Sequence, residues 1–357
     1  MTDSLCYMLQ DSPRVVPSYR ALALQSSCHS VNRMNVADAR KAIRQAIERV
    51  GKEIKASKQF IGQDLRLVAL PEYFATSYPL GETIPGWREK ACIDPDGAEY
   101  EALGKIAQDN GVYLASNAYE RDPYFPELYF QASVVLAPNG DQILRYRRLI
   151  SLFAPSPHDV WAAYLEHYGE DGVFPVARTE IGNLACIASE EILYPEIARS
   201  LALRGAEVFL HSTSEVSSPD LTPKDIAKRA RAIEGMAYVV SANTSVLTGV
   251  DMPASSTSGM SKIVDDQGRV LCSAGMGDTM AAYADIDLIG LRMRRRRPGM
   301  PNVLSRLPRE AIALGLSKAP VEPNAFLFGN SARVPERKEF SERQKKVIQS
   351  LQGECFP

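Results

Sequence analysis

Residues 182–214 read GNLACIAS, then EEILYPEIARSLALRGA, then EVFLHSTS. An apolar strand-like run, a helix-like run closed by Gly205 and a second apolar run make a βαβ unit. Such a unit joins parallel strands and demands helices over the sheet, which places the chain among layered α/β folds. At the first junction stands IASEEILYPE (187–196), where Ser189, Glu190 and Glu191 follow directly on a buried strand. Side chains converge on a crevice at the carboxyl ends of such strands, so this junction is the first candidate for chemistry.

The rest of the chain repeats strand and helix with hairpins between. ALALQ (21–25) reads as a buried strand. Residues 37–56 follow as a helix whose Ala39, Ala42, Ile43, Ala46, Ile47, Val50 and Ile54 share one face. LRLVALPEYF (65–74) is β-rich and ends at Pro71, Glu99–Asn110 suits a helix, and VYLASNAYE (112–120) suits a strand. Residues 128–150 carry the turn Pro138-Asn139-Gly140-Asp141 between two β-like runs, a hairpin signal. The aromatic-containing segment 152–172 is a candidate substrate lid. After the βαβ unit come a helix at Lys224–Gly235, a strand at Tyr238–Asn243 and a second hairpin over 261–274 turning at Asp266-Gln267-Gly268. The expected sheet is therefore mixed. Residues 336–352 offer a last charged helix with Phe340, Val347, Ile348 and Leu351 on one stripe, suited to docking on the body or on a partner subunit.

Composition narrows the function classes. With 357 residues and 45% apolar side chains the chain can bury a full core, and Lys+Arg 41 against Asp+Glu 43 leaves no global charge to recruit nucleic acid or an anionic membrane. The basic run Arg292–Arg297 is the local exception, weighed as a solvated or interface-capping segment against a phosphate patch. Cys6, Cys28, Cys92, Cys186, Cys272 and Cys355 form no CxxC pair, and His29, His158, His167 and His211 lie without metal-ligand spacing. No metal or cofactor is expected. Reduced thiols, no leader-like start and no long apolar span point to a cytoplasmic protein.

Three motifs stand at strand ends: LPEYF with Glu72 and Tyr73, LRYRRLI with Arg147 and Arg148, and ACIASEEILYPE with Ser189. With the LRGAEVFL, SANTS and SKIVDDQGRVL segments in the same order, the chain resembles the nitrilase, or carbon-nitrogen hydrolase, superfamily over roughly residues 20–300. The resemblance implies a four-layer αββα sandwich (α/β, mixed sheets). It also implies subunits that pair as a homodimer or larger homo-oligomer, burying the helix Glu196–Arg204. Residues 1–20 and 301–357 would be extensions of the hydrolase-like domain 21–300.

That family uses a glutamate base, a lysine that stabilises the tetrahedral intermediate, a cysteine nucleophile and often a second glutamate. By position Glu72 falls on the base, Arg148 on the lysine and Ser189 on the cysteine. Both replacements alter the chemistry: a serine hydroxyl must lose its proton during attack, and a guanidinium fork does not fill an ammonium's place. Asp159 is the nearest acid to the second glutamate. Tyr73, Glu190, His211, Ser212 and Thr213 are candidate pocket residues around a small-molecule amide substrate.

Alternatives stand beside this assignment. Cys186 as nucleophile competes with a buried structural thiol, and Ser189 as a mere helix N-cap with a reacting group. Glu191 could simply favour a helix N-terminus. A Ser189–His211 triad lacks the G-x-S-x-G elbow. An introduced Cys-to-Ser change would explain Ser189 but not Arg148, whereas natural divergence, active or as a noncatalytic binding protein, explains both.

Overall fold

The computed structural model describes residues 18–354 except 217, 219, 254–256, 258, 278–279, 318–320 and 330. Nearly all of the expected N-terminal extension lies outside the described residues. Strand β1 (Tyr19–His29) opens the fold and is followed by helix α1 (Val36–Ile61), β2 (Leu65–Ala69), α2 (Ile84–Ala91), α3 (Ala98–Asn110) and β3 (Tyr113–Arg121). The hairpin β4 (Tyr129–Leu136) and β5 (Gln142–Arg147) comes next, then α4 (Trp161–Tyr168) and β6 (Ala177–Thr179). The βαβ unit is β7 (Gly182–Ala188), α5 (Pro195–Leu203) and β8 (Val208–Thr213). Then come α6 (Pro223–Gly235), β9 (Tyr238–Thr248), the hairpin β10 (Lys262–Val264) and β11 (Val270–Ser273), β12 (Met280–Ile286) and α7 (Leu288–Arg296).

Two leaves share β1. Its first half pairs antiparallel with β12 and parallel with β2, while Ser26–His29 pairs parallel with β9 across a register shift. One leaf runs β5-β4-β3-β2-β1, the other β9-β8-β7-β6 with β10 on β9, and the mixed character arises from parallel strands flanked by hairpins. Alternation along the strands explains the layers. Ala21, Ala23, Leu67 and Ala69 of one leaf share a cluster with Leu184, Cys186, Val208 and Leu210 of the other. Their neighbours Leu22, Leu24 and Val68 face α1, and Ala185, Ile187 and Phe209 face α5 and α6. The result is the αββα sandwich.

Helix α1 buries the face read from its spacing, Ala39, Ile43, Ala46, Ile47, Val50 and Ile54, and begins where Asn35 Oδ1 accepts the Asp38 N–H at 2.9 Å. Each isoleucine or valine among them adds roughly 1.5–3 kcal/mol by leaving water, and each alanine less. Helix α3 meets the hairpin turn so closely that a Cβ on Gly104 would lie 2.6 Å from the Gly140 carbonyl oxygen, so only glycine fits there.

The segment read as a lid is folded. A 3₁₀ turn (Pro157–Val160) and α4 seat Tyr164 and Tyr168 on the outer face of the hairpin, with Arg147 placed 4.2 Å from the Tyr168 ring centre. At the C-terminal end a short helix α8 (Arg309–Leu316) precedes α9 (Arg337–Glu354). Helix α9 lies on the body: Phe340 meets Phe326 edge-on at 5.4 Å, and Arg343 pairs with Asp159. Ile348, from the expected stripe, remains exposed.

Candidate active site

Strands β2, β5 and β7 point the same way within their leaves, so their carboxyl ends open on one crevice. The leaves are stitched there. Ser212 Oγ donates to Leu70 O at 2.8 Å, and the Glu72 N–H donates to Thr213 O at 3.3 Å. Beyond Pro71, which cannot extend the ladder, Tyr73 turns left-handed at φ +35°. Its N–H is held by Asn117 Oδ1 at 3.1 Å and its ring stacks on Tyr119. That turn sends the Glu72 carboxylate inward, 2% exposed.

Glu72 Oε1 accepts from Gln131 Nε2 at 2.7 Å and from Arg148 at 3.2 Å. Among the described residues Oε2 takes no hydrogen bond. Arg147 and Arg148 leave β5 on opposite faces, as consecutive strand residues do. Arg147 joins Glu120 and Asp122, whereas Arg148 turns to Glu72, Glu190, Gln131 Oε1 at 2.7 Å and Ile150 O at 2.6 Å. Burial works against the Arg148 charge, but the carboxylates of Glu72 and Glu190 outweigh it and hold its pKa above the ordinary value.

Ser189 opens a 3₁₀ turn (Ser189–Leu193) with φ +49°, a left-handed conformation that costs a non-glycine residue roughly 1–2 kcal/mol. Two contacts hold it. His211 Nε2 lies 2.8 Å from the Ser189 carbonyl oxygen and Nδ1 lies 2.9 Å from Ser241 Oγ, so Nε2–H donates and Nδ1 accepts. Burial pushes the His211 pKa well below its usual value, and the ring is neutral. It therefore positions the turn instead of serving as the base of a triad.

Glu191 is the second support. Its buried carboxylate accepts from Tyr146 Oη at 2.8 Å and from the backbone N–H groups of Leu149 at 2.8 Å, Ile150 at 3.1 Å and Ala188 at 3.2 Å. It ties the end of β7 to the end of β5. Ser189 is not a side-chain N-cap, since its Oγ accepts instead from Lys224 Nζ at 3.1 Å, whereas Glu191 does stand in the first turn of the 3₁₀ helix, where its bond to the Ala188 N–H caps that turn.

Lys224 is the residue that reading the motifs missed. It stands in the first turn of α6, after Thr222, whose Oγ1 caps the Asp225 N–H at 3.1 Å, and Pro223. Its ammonium also donates to Thr213 Oγ1 at 3.4 Å. One sequence signal existed: a cation is disfavoured at a helix N-terminus, so a lysine just after Thr-Pro has a compensating partner. The structure does not bring Asp159 to Glu72, Arg148 or Ser189. It accepts from Ser156 N–H at 2.8 Å and pairs with Arg343. The second acid beside Arg148, after Glu72, is Glu190.

Three of the five arginines of the basic run are taken up by the fold, while Arg296 and Arg297 are exposed. Arg292 forks onto Glu207, Arg294 onto Asp266, and Arg295 caps the carbonyls of Gly235 and Met236. Among the described residues no cluster of His, Cys, Asp and Glu is arranged to hold a metal ion, and no helix is long and apolar enough to cross a membrane.

A hydroxyl on a strained strand-end turn, a carboxylate with an open oxygen and two cations on an αββα frame are the equipment for acyl transfer. The family model for carbon-nitrogen hydrolases matches residues 33–296. The chain is 31% identical over 247 residues to a nitrilase of Pyrococcus abyssi, covering 68% of this chain and 84% of that one. It therefore belongs to the carbon-nitrogen hydrolase family. An omega-amidase of Xenopus laevis is 23% identical over 242 residues, 68% of this chain and 83% of its own. Among solved structures, a carbon-nitrogen hydrolase from Helicobacter pylori superposes with a TM-score of 0.63 at 22% identity, covering 84% and 98% of the two chains. An amidase from Nesterenkonia sp. gives 0.58 at 18% identity, covering 83% and 96%.

Proposed function

We propose that the protein hydrolyses a small linear amide through an acyl-serine intermediate. Ser189 Oγ is the nucleophile, Glu72 the general base that takes its proton on the open oxygen, and Arg148 the fixed positive charge that offsets the oxyanion. The observation that carries this is that Arg148, 3.2 Å from Glu72, also pairs with Glu190, the residue next to Ser189, whose backbone takes the left-handed φ of +49° at the strand end. A solved form of the Nesterenkonia amidase carries the acetamide moiety of fluoroacetamide on its active-site cysteine. Here the described cysteines are no substitute: Cys186 sits in the core between the leaves, where burial pushes its thiol pKa far up and keeps it inert. The relatives that act on amides, and Tyr73 following Glu72, favour an amide over a nitrile.

Ammonia release from a panel of short linear amides and ω-amides tests the assignment. Ser189→Ala and Glu72→Gln are each expected to lower kcat by about 10³-fold or more. A Ser189→Ala protein that turns substrate over at the unaltered rate would exclude Ser189 as nucleophile.

A further inference from the structure

We infer that Lys224 is the oxyanion donor of this site, a catalytic ammonium supplied by the first turn of α6 instead of by the end of β5. The inference rests on Ser189 being the nucleophile. Its first support is geometric: Lys224 Nζ is 3.1 Å from Ser189 Oγ and 3.4 Å from Thr213 Oγ1, so an oxygen on a carbon bonded to Oγ would form within its reach. The second is what Arg148 is doing. Four of the five N–H donors of a guanidinium are committed, to Ile150 O, Glu72, Gln131 and Glu190, so it clamps the base and contributes charge from a distance.

The third support is the way the surrounding charges are paired. Glu215 is taken by Lys228, and Asp225 by Lys228 and by Lys262 at 2.6 Å. Lys224 itself forms no ion pair among the described residues. A half-buried ammonium bonded, among the described residues, only to two hydroxyls keeps a third N–H for a ligand. A purely structural anchor for the α6 start would be expected to pair with one of those acids. Burial lowers the Lys224 pKa, with the Glu72 carboxylate opposing it.

The steps balance without a co-reactant. As the Oγ–C bond forms, the Oγ proton passes to Glu72 and the carbonyl π pair moves to oxygen, which accepts from the Lys224 ammonium. Collapse breaks the C–N bond, and the leaving nitrogen takes the proton from Glu72 and departs as ammonia or an amine. Water then attacks the ester, giving its proton to Glu72. A second oxyanion is met by the same ammonium, and Oγ leaves with the proton restored. Lys224 keeps its protons throughout.

The test compares unaltered protein, Lys224→Met, Lys224→Arg and Ser189→Ala in ammonia release from the same amide panel, with melting temperature and a pH profile for each. Lys224→Met is expected to lose about 10²–10³-fold in kcat with little change in KM or melting temperature. Activity of the unaltered protein should fall as rising pH deprotonates Lys224. In Lys224→Arg part of the activity returns and that alkaline fall disappears, since a guanidinium does not deprotonate there. Lys224→Met within threefold of the unaltered kcat, beside an inactive Ser189→Ala, overturns the lysine assignment alone. So does an alkaline limb unchanged in Lys224→Arg, which decides the matter if Lys224→Met unfolds. Active Ser189→Ala, or no amide turned over at all, overturns the hydrolase mechanism itself.

Discussion

Glu191 shows how much of the strand-end turn depends on one fully buried carboxyl group. One carboxylate gathers a phenol and three backbone N–H groups from two strand ends, and burial pushes its pKa up from 4.5 to about 7. The folded state thus holds the proton more tightly than the unfolded chain. Its contribution to stability is fully present below pH 4.5 and declines as pH rises through about 7. Comparing urea unfolding of the unaltered protein with Glu191→Gln between pH 5 and pH 8 should show the difference shifting against the unaltered protein, by on the order of 3 kcal/mol. A difference that stays flat with pH would mean that Glu191 titrates normally. Residue identity at 72, 148 and 189 was legible from motif order. The partners Gln131 and Asn117, and Lys224 above all, were not, because they come from elements whose spatial neighbours no local pattern announces.

At the scale of elements, periodicity did well where burial is one-sided. The α1 stripe and both hairpin turns lie where their spacing put them, since amphipathic patterns and Asn-Gly or Gln-Gly turns are local physics. The run 152–172 looked like loop because its aromatic residues do not keep helical spacing against one core. Its helix is instead fixed by stacking on Arg147 and the hairpin. Likewise Arg292–Arg297 reads as a surface patch in sequence, while Arg292, Arg294 and Arg295 reach back to Glu207, Asp266 and the end of α6. Arg295→Ala should therefore cost roughly 2–4 kcal/mol in equilibrium unfolding, because the carbonyls of Gly235 and Met236 lose a charged donor. A loss below 0.5 kcal/mol would show those carbonyls satisfied by water.

For the molecule as a whole, the two leaves meeting at β1 and β9 create the crevice, and the stitches Ser212–Leu70 and Glu72–Thr213 fix its width. Glu72 and Arg148 belong to one leaf, Ser189 and Thr213 to the other, and Lys224 to the helix covering the second. The site therefore exists only when the leaves are packed. Asp159 was drawn toward it by chain proximity to Arg148, yet a segment leaving a hairpin can go to either face, and this one goes to Arg343 on α9. The most direct test of the account is mass spectrometry of protein quenched in acid during amide turnover. The account predicts one added acyl group, as an ester on Ser189, absent from Ser189→Ala. An acyl group on Cys186 or any other residue, or undiminished turnover by Ser189→Ala, would contradict it.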